Sequence, residues 1–64
     1  MNIQEGTAVL AVRGQFGQMQ AEARYIGCIG TVTEVVQDGA GTYYEVDFGV
    51  GTDHIDGRCL RVQS

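Results

Sequence analysis

Residues 25–49, Y-I-G-C-I-G-T-V-T-E-V-V-Q-D-G-A-G-T-Y-Y-E-V-D-F-G, constrain the fold of this 64-residue chain more than any other stretch. Two β-rich runs flank a cluster of turn formers, Asp38-Gly39-Ala40-Gly41, and the second run alternates with a period of two. Tyr44, Val46 and Phe48 fall on one side of it, and Tyr43, Glu45 and Asp47 on the other. That period marks an antiparallel strand with one face buried. The Asp38-Gly39 step supplies the positive φ that a tight hairpin turn wants. In the first run Val32 and Val35 cannot share a face of a regular strand, which predicts a bulge near Thr33-Glu34. The stretch reads as the central hairpin of a small β-barrel.

The remaining segments supply the other strands. Residues 1–5 read as a lead-in and residues 6–13 as a first strand. Within it Ala8, Val9, Leu10, Ala11 and Val12 are consecutive apolar residues. A strand wetted on one face alternates, so an unbroken run implies cover on both. In so short a chain that second cover is either the long connection folding back or another subunit. The latter would put Ala8, Leu10 and Val12 at an oligomer interface. Residues 14–24 form the longest connection, and the helix formers of 18–24 predict one or two helical turns docked by Phe16 or Met19. Residues 49–51 turn the chain into a fourth strand at 52–55. Residues 56–59 read as one 3₁₀ turn, and 60–62 as the closing strand. The expected fold is all-β: one domain, a five-stranded barrel with a long first loop and a 3₁₀ turn before the last strand.

Composition narrows the functional classes. Four arginines and no lysine stand against eight acids, a net charge of −4. Nucleic-acid binding rests on Lys and Arg neutralising phosphates, so this balance weighs against such a partner. It also repels anionic membrane. The opening residues carry neither a basic region nor an apolar run, and no segment approaches the length of a membrane span. A cytoplasmic protein is expected, with Cys28 and Cys59 as reduced, buried, apolar thiols. An oxidising compartment would allow a disulfide to form between them. A chain this short buries only about 60% of the surface its unfolded form exposes, so its stability is thin unless oligomerisation or another device adds to it.

Several residues carry a resemblance. Gly6-x-x-Val9 opens the first strand and Gly27-x-x-Gly30-x-Val32 the second. Tyr44-x-Val46-x-Phe48 follows in the third, and Gly57-x-x-Leu60 in the closing turn. Across nearly the whole chain this looks like the small SH3-like barrels, KOW and Tudor-type domains among them. The final Asp56-Gly57-Arg58-Cys59-Leu60 turn is also similar to that of the plasmid-borne type II dihydrofolate reductases. Those enzymes set a Val-Gln-Ile-Tyr motif before the turn, lining a pore shared by four subunits. Here Thr52-Asp53-His54-Ile55 stands in its place, and Asp53 brings negative charge towards anionic folate and NADPH. No catalytic residue carries over. The precedent that does is oligomerisation through exposed apolar strands, and a mobile-element neighbourhood would fit a short cassette protein of this kind.

No catalytic motif stands out. His54, the single histidine, lies between Asp53 and Ile55 with no nucleophile at a recognisable spacing. A zinc site of Cys28, His54 and Cys59 lacks the close cysteine pair that structural zinc uses. Gly49-Val50-Gly51 precedes no helix, so the helix-terminus mechanism of phosphate binding does not apply and it reads as a turn. Neither metal nor cofactor is expected. Phe16, Tyr25 and Tyr43 are the aromatics left outside the expected core. The resemblance implies a ligand groove between the long loop and the second turn. Those aromatics, with Asp53 and His54, are its candidate lining, and Glu22, Asp53 and Asp56 favour a basic partner. The first expectation is a non-catalytic, self-associating module that binds another protein. The alternatives are an oligomeric barrel binding a small ligand or nucleotide, and a KOW-like nucleic-acid binder. The last requires Arg13, Arg24, Arg58 and Arg61 to share one face.

Overall fold

The computed structural model describes residues 3–15, 17–39 and 41–63. Five strands, β1 (Ala8–Ala11), β2 (Ile29–Asp38), β3 (Gly41–Asp47), β4 (Thr52–Asp56) and β5 (Leu60–Val62), form one antiparallel sheet in the order β4-β3-β2-β1-β5. Two 3₁₀ turns, Ala23–Tyr25 and Gly57–Cys59, interrupt it.

The bulge anticipated in the hairpin is present. Val32 faces Val46, and the next pair is Glu34 with Glu45, which leaves Thr33 as the extra residue. Its hydroxyl donates to the Glu45 side chain (2.7 Å) and lies 3.2 Å from the Glu45 carbonyl. The inserted residue turns Val35 to the side that Val32 already occupies, which is why both join the core.

Two further bulges hold the ends of β1. The Gly6 N–H donates to the Val32 carbonyl and the Val32 N–H to that of Thr7, so two residues oppose one. The Gly27 N–H donates to the Ala11 carbonyl and the Ala11 N–H to that of Cys28, which repeats the pattern. Both glycines have φ +88°, the left-handed conformation that leads this type of bulge. They shorten the expected first strand of residues 6–13 to four residues and bend the sheet at both ends. In the hairpin turn the positive φ belongs to Gly41 (136°) rather than Gly39. Ala40 lies outside the described residues.

The expected barrel is not closed by strand pairing: β4 and β5 are the two edges of an open sheet. The connection between β1 and β2 acts as a strap at the β4 edge instead. The Asp56 N–H donates to the Met19 carbonyl (2.6 Å), and the Glu22 N–H to Asp53 Oδ2 (2.9 Å). These long-range bonds also explain why the helix expected over 18–24 shrinks to the 3₁₀ turn at Ala23–Tyr25: the Glu22 N–H that a helix would use internally is committed to a distant strand. Ala21 and Tyr25 dock the strap, whereas Met19 is 46% exposed and Phe16 lies outside the described residues. The core beneath is Val9, Ala11, Ala21, Tyr25, Val32, Val46, Ile55, Cys59 and Leu60, with Val35, Tyr44 and Phe48 packed against it.

Candidate binding hollow

A hollow of about 180 Å³ opens where three separate segments meet. Gly17 and Met19 come from the strap; Asp38, Gly41, Thr42 and Tyr43 from the β2–β3 hairpin; and Asp56 and Arg58 from the end of β4 and the second 3₁₀ turn. It therefore lies between the long connection and the first hairpin turn, not beside the second turn at 49–51. The register that pairs Tyr43 with Asp56 puts an aromatic ring next to a carboxylate on its wall.

Asp56 is the most constrained group in the hollow. Its Oδ1 accepts from the Arg58 backbone N–H (2.8 Å) and from Arg58 Nε (3.0 Å), and its Oδ2 accepts from Arg58 Nη2 (2.7 Å). One carboxylate thus caps the 3₁₀ turn and holds a bidentate guanidinium. The Arg58 side-chain bonds, then its backbone N–H, hold the Asp56 carboxyl below the ordinary 3.8. A depressed folded-state pKa contributes stability above the ordinary value, and that share is lost as pH falls through the folded value. Asp56→Ala is expected to cost about 1 kcal/mol, and Asp56→Asn less, because the amide oxygen still caps the turn. Denaturant unfolding at pH 7 and below pH 3.8 checks this. The native chain should lose stability on acidification and D56N should lose less; equal losses would contradict the assignment.

The other candidates take different positions. Tyr43 lines the hollow. Asp53 serves the scaffold: Oδ1 accepts from the His54 N–H, closing an edge donor of β4, while Oδ2 holds the strap at Glu22. His54 is exposed, with Nε2 3.5 Å from Glu45 Oε2 and its ring edge-on to Tyr43 at 5.8 Å. Tyr25, expected outside the core, is buried. Its ring stacks on Phe48 at 4.3 Å, because the 3₁₀ turn points it inward under the β3–β4 turn. Ala8, Leu10 and Val12 are only half buried, so the described residues of the long connection, which bury Ala21 and Tyr25 against the core, do not fully cover them. Beside Leu10, Ile29 is 60% exposed. Reasoning from sequence missed Met19, Asp38, Thr42 and Arg58 as lining residues; the Asp38-Gly39 turn was their only local signal.

The cysteines part company, since Cys59 alone takes the buried position expected of both. Cys59 is buried, and burial pushes its thiol pKa up, whereas Cys28 is exposed as the second residue of the Gly27 bulge. Their carbonyls accept from Val12 and Ala11 on opposite sides of β1. Two strand spacings, about 9–10 Å, separate such positions. A disulfide needs Cα atoms within about 7 Å, so this fold does not bring the pair to bridging distance. Among the described residues no three His, Cys, Asp or Glu side chains gather as a metal site, and Cys28, His54 and Cys59 do not meet. Two of the four arginines are committed to carboxylates, Arg24 to Glu22 and Arg58 to Asp56. Among the described residues no helix is long and apolar enough to cross a membrane.

The class defined by this geometry is an all-β protein with one open, five-stranded antiparallel sheet and a strap-bounded hollow. Comparison with protein-family models, with curated proteins and with solved structures finds no match.

Proposed function

We propose that the chain is a small, non-catalytic protein-binding module on an SH3-like scaffold, whose hollow takes one basic side chain of a partner segment. The scaffold reading is supported by the strand order β4-β3-β2-β1-β5, the long first connection and the 3₁₀ turn before β5. The observation that carries the binding reading is the hollow itself, a concavity of about 180 Å³, large enough for a single side chain. Tyr43 and Met19 offer an apolar surface for a methylene stem, and Asp38 lies on the same wall beside the closed Asp56–Arg58 pair. The chain's net charge of −4 draws a basic partner to the same end.

Titration with short peptides, followed by amide NMR, tests this reading. Peptides bearing Arg or Lys should shift Met19, Gly41, Thr42 and Tyr43, with Tyr43→Ala weakening binding about tenfold, roughly 1.4 kcal/mol. Equal response to acidic peptides, or none at millimolar peptide, would refute it. In the same preparation, a folate or nucleotide that raised the melting temperature would favour the small-ligand alternative. A second reading, self-association, is favoured by Ile29 and Leu10, aliphatic neighbours on the side of the sheet away from the core.

A further inference from the structure

We infer that the outer face of the sheet packs on the same face of a second copy about a two-fold axis beside Ile29, so that Arg61 of each copy meets Asp47 of the other. The inference rests on the self-association reading and specifies its geometry. Val9 and Ala11 point to the core, so Leu10 between them points away from it. Leu10 pairs with Ile29 on one side and with Arg61 on the other. In the adjacent row Ala8 pairs with Thr31, and Thr31 with Asp47. The face thus runs from a cation on β5, over aliphatic side chains on β1 and β2, to an anion on β3.

Among the described residues both terminal charges lack an ionic partner. The ion pairs join Arg24 to Glu22, His54 to Glu45 and Arg58 to Asp56, so among the described residues Arg61 has no carboxylate and Asp47 no cation. The Arg61 guanidinium donates to the Arg58 and Leu60 carbonyls, and the Asp47 carboxylate accepts from the Gly49 N–H. Strands spaced about 4.8 Å apart put β5 and β3 about 14 Å from each other. A two-fold interface must be self-complementary, each residue meeting its counterpart reciprocally. Opposite charges at the two ends of an apolar patch satisfy that condition twice, with Ile29 seated near its own mate at the axis. A patch built on Ile29, Leu10, Ala8 and Thr31 is smaller than a standard interface, so the dimer forms only at high concentration and weakens with salt.

Sedimentation equilibrium over a concentration series tests the proposal, with amide NMR spectra confirming that each variant stays folded. The native chain should dimerise, and Ile29→Lys should leave it monomeric. Arg61→Glu and Asp47→Arg should each weaken the dimer about tenfold, and combining them should restore it. A native chain that is monomeric at every concentration overturns self-association and this geometry together. A dimer that survives I29K, or single variants that the double variant does not rescue, overturns the geometry alone and leaves self-association standing. If either charge variant unfolds, the salt dependence of the native dimer and the I29K result decide the matter. A salt-insensitive dimer overturns the Arg61–Asp47 pairing.

Discussion

Gly30→Ala is expected to unfold the chain or bring it close to unfolding at room temperature. A Cβ on Gly30 would lie 2.6 Å from Val46 Cγ1, 2.8 Å from the Asp47 carbonyl oxygen and 2.9 Å from Phe48 Cδ1. A flexible side chain could yield to such an intruder, but a carbonyl oxygen held in the sheet cannot. Phe48 is equally constrained, since it lies flat against Tyr25 with ring planes 9° apart. Overpacking of a filled core typically costs about 1–3 kcal/mol, occasionally more. A domain of this size has only a few kcal/mol to lose. The reason is space rather than backbone, because Gly30 does not have a positive φ. Circular dichroism with urea titration checks the outcome. A folded G30A with a midpoint near the native one would mean that β2 and β3 do not approach as closely as described.

How much of this was legible follows from the range of the forces involved. The alternation at 43–48, the Thr33 bulge, the 3₁₀ turn over Gly57–Cys59 and the last strand at Leu60–Val62 are written in neighbouring residues, and the fold reproduces them. The apolar run at 8–12 was ambiguous because composition does not say what covers a face. The sheet buries Val9 and Ala11 and leaves Ala8, Leu10 and Val12 half covered. Tyr25 misled because its burial is decided by Gly51 and Phe48, more than twenty residues away. Asp53 read as a ligand group because an acid beside a histidine looks chemical. Its partners are backbone N–H groups, one of them on a strap whose path no local pattern encodes. The hollow was half legible for the same reason. Tyr43 and Asp56 could be named from a strand and a turn, but Met19 reaches them only through the bond between its carbonyl and the Asp56 N–H.

The strap also limits how the sheet can associate. Of the two open edges, β4 has its Asp56 donor taken by Met19 and its His54 donor taken by Asp53. Such blocking suppresses edge-to-edge pairing with other chains. At the other edge β5 has three residues, and Arg61 covers the Leu60 carbonyl. With those edge donors occupied, Ile29 stands out on the outer face of the sheet as a large apolar side chain that is 60% exposed.

The second large effect couples Tyr25 of the strap to Gly51 in the turn between β3 and β4. Gly51→Ala would drive its Cβ into the Tyr25 hydroxyl, well inside van der Waals contact, while the ring Cζ stands 3.7 Å away. Tyr25 cannot swing aside, because Phe48 stacks on its ring and the Arg24 guanidinium lies 4.6 Å from its centroid. G51A should therefore cost about 2–3 kcal/mol. The hydroxyl itself is buried, and among the described residues no group meets full hydrogen-bond geometry with it, although the Arg24 guanidinium lies close enough to interact with it. A buried polar group left unpaired carries a desolvation penalty of about 1–3 kcal/mol, so Tyr25→Phe should be neutral or stabilising. It also removes the clashing atom, after which the new methyl meets the ring at an ordinary contact distance. The double variant should then recover most of the loss, giving a coupling energy of about 2 kcal/mol in a double-mutant cycle. Additive effects would show that something other than the hydroxyl opposes a side chain at position 51. A destabilised Y25F would reveal that the phenol has a hydrogen-bond partner, such as a trapped water or the Arg24 guanidinium. The cycle separates these outcomes because each changes a different leg of it.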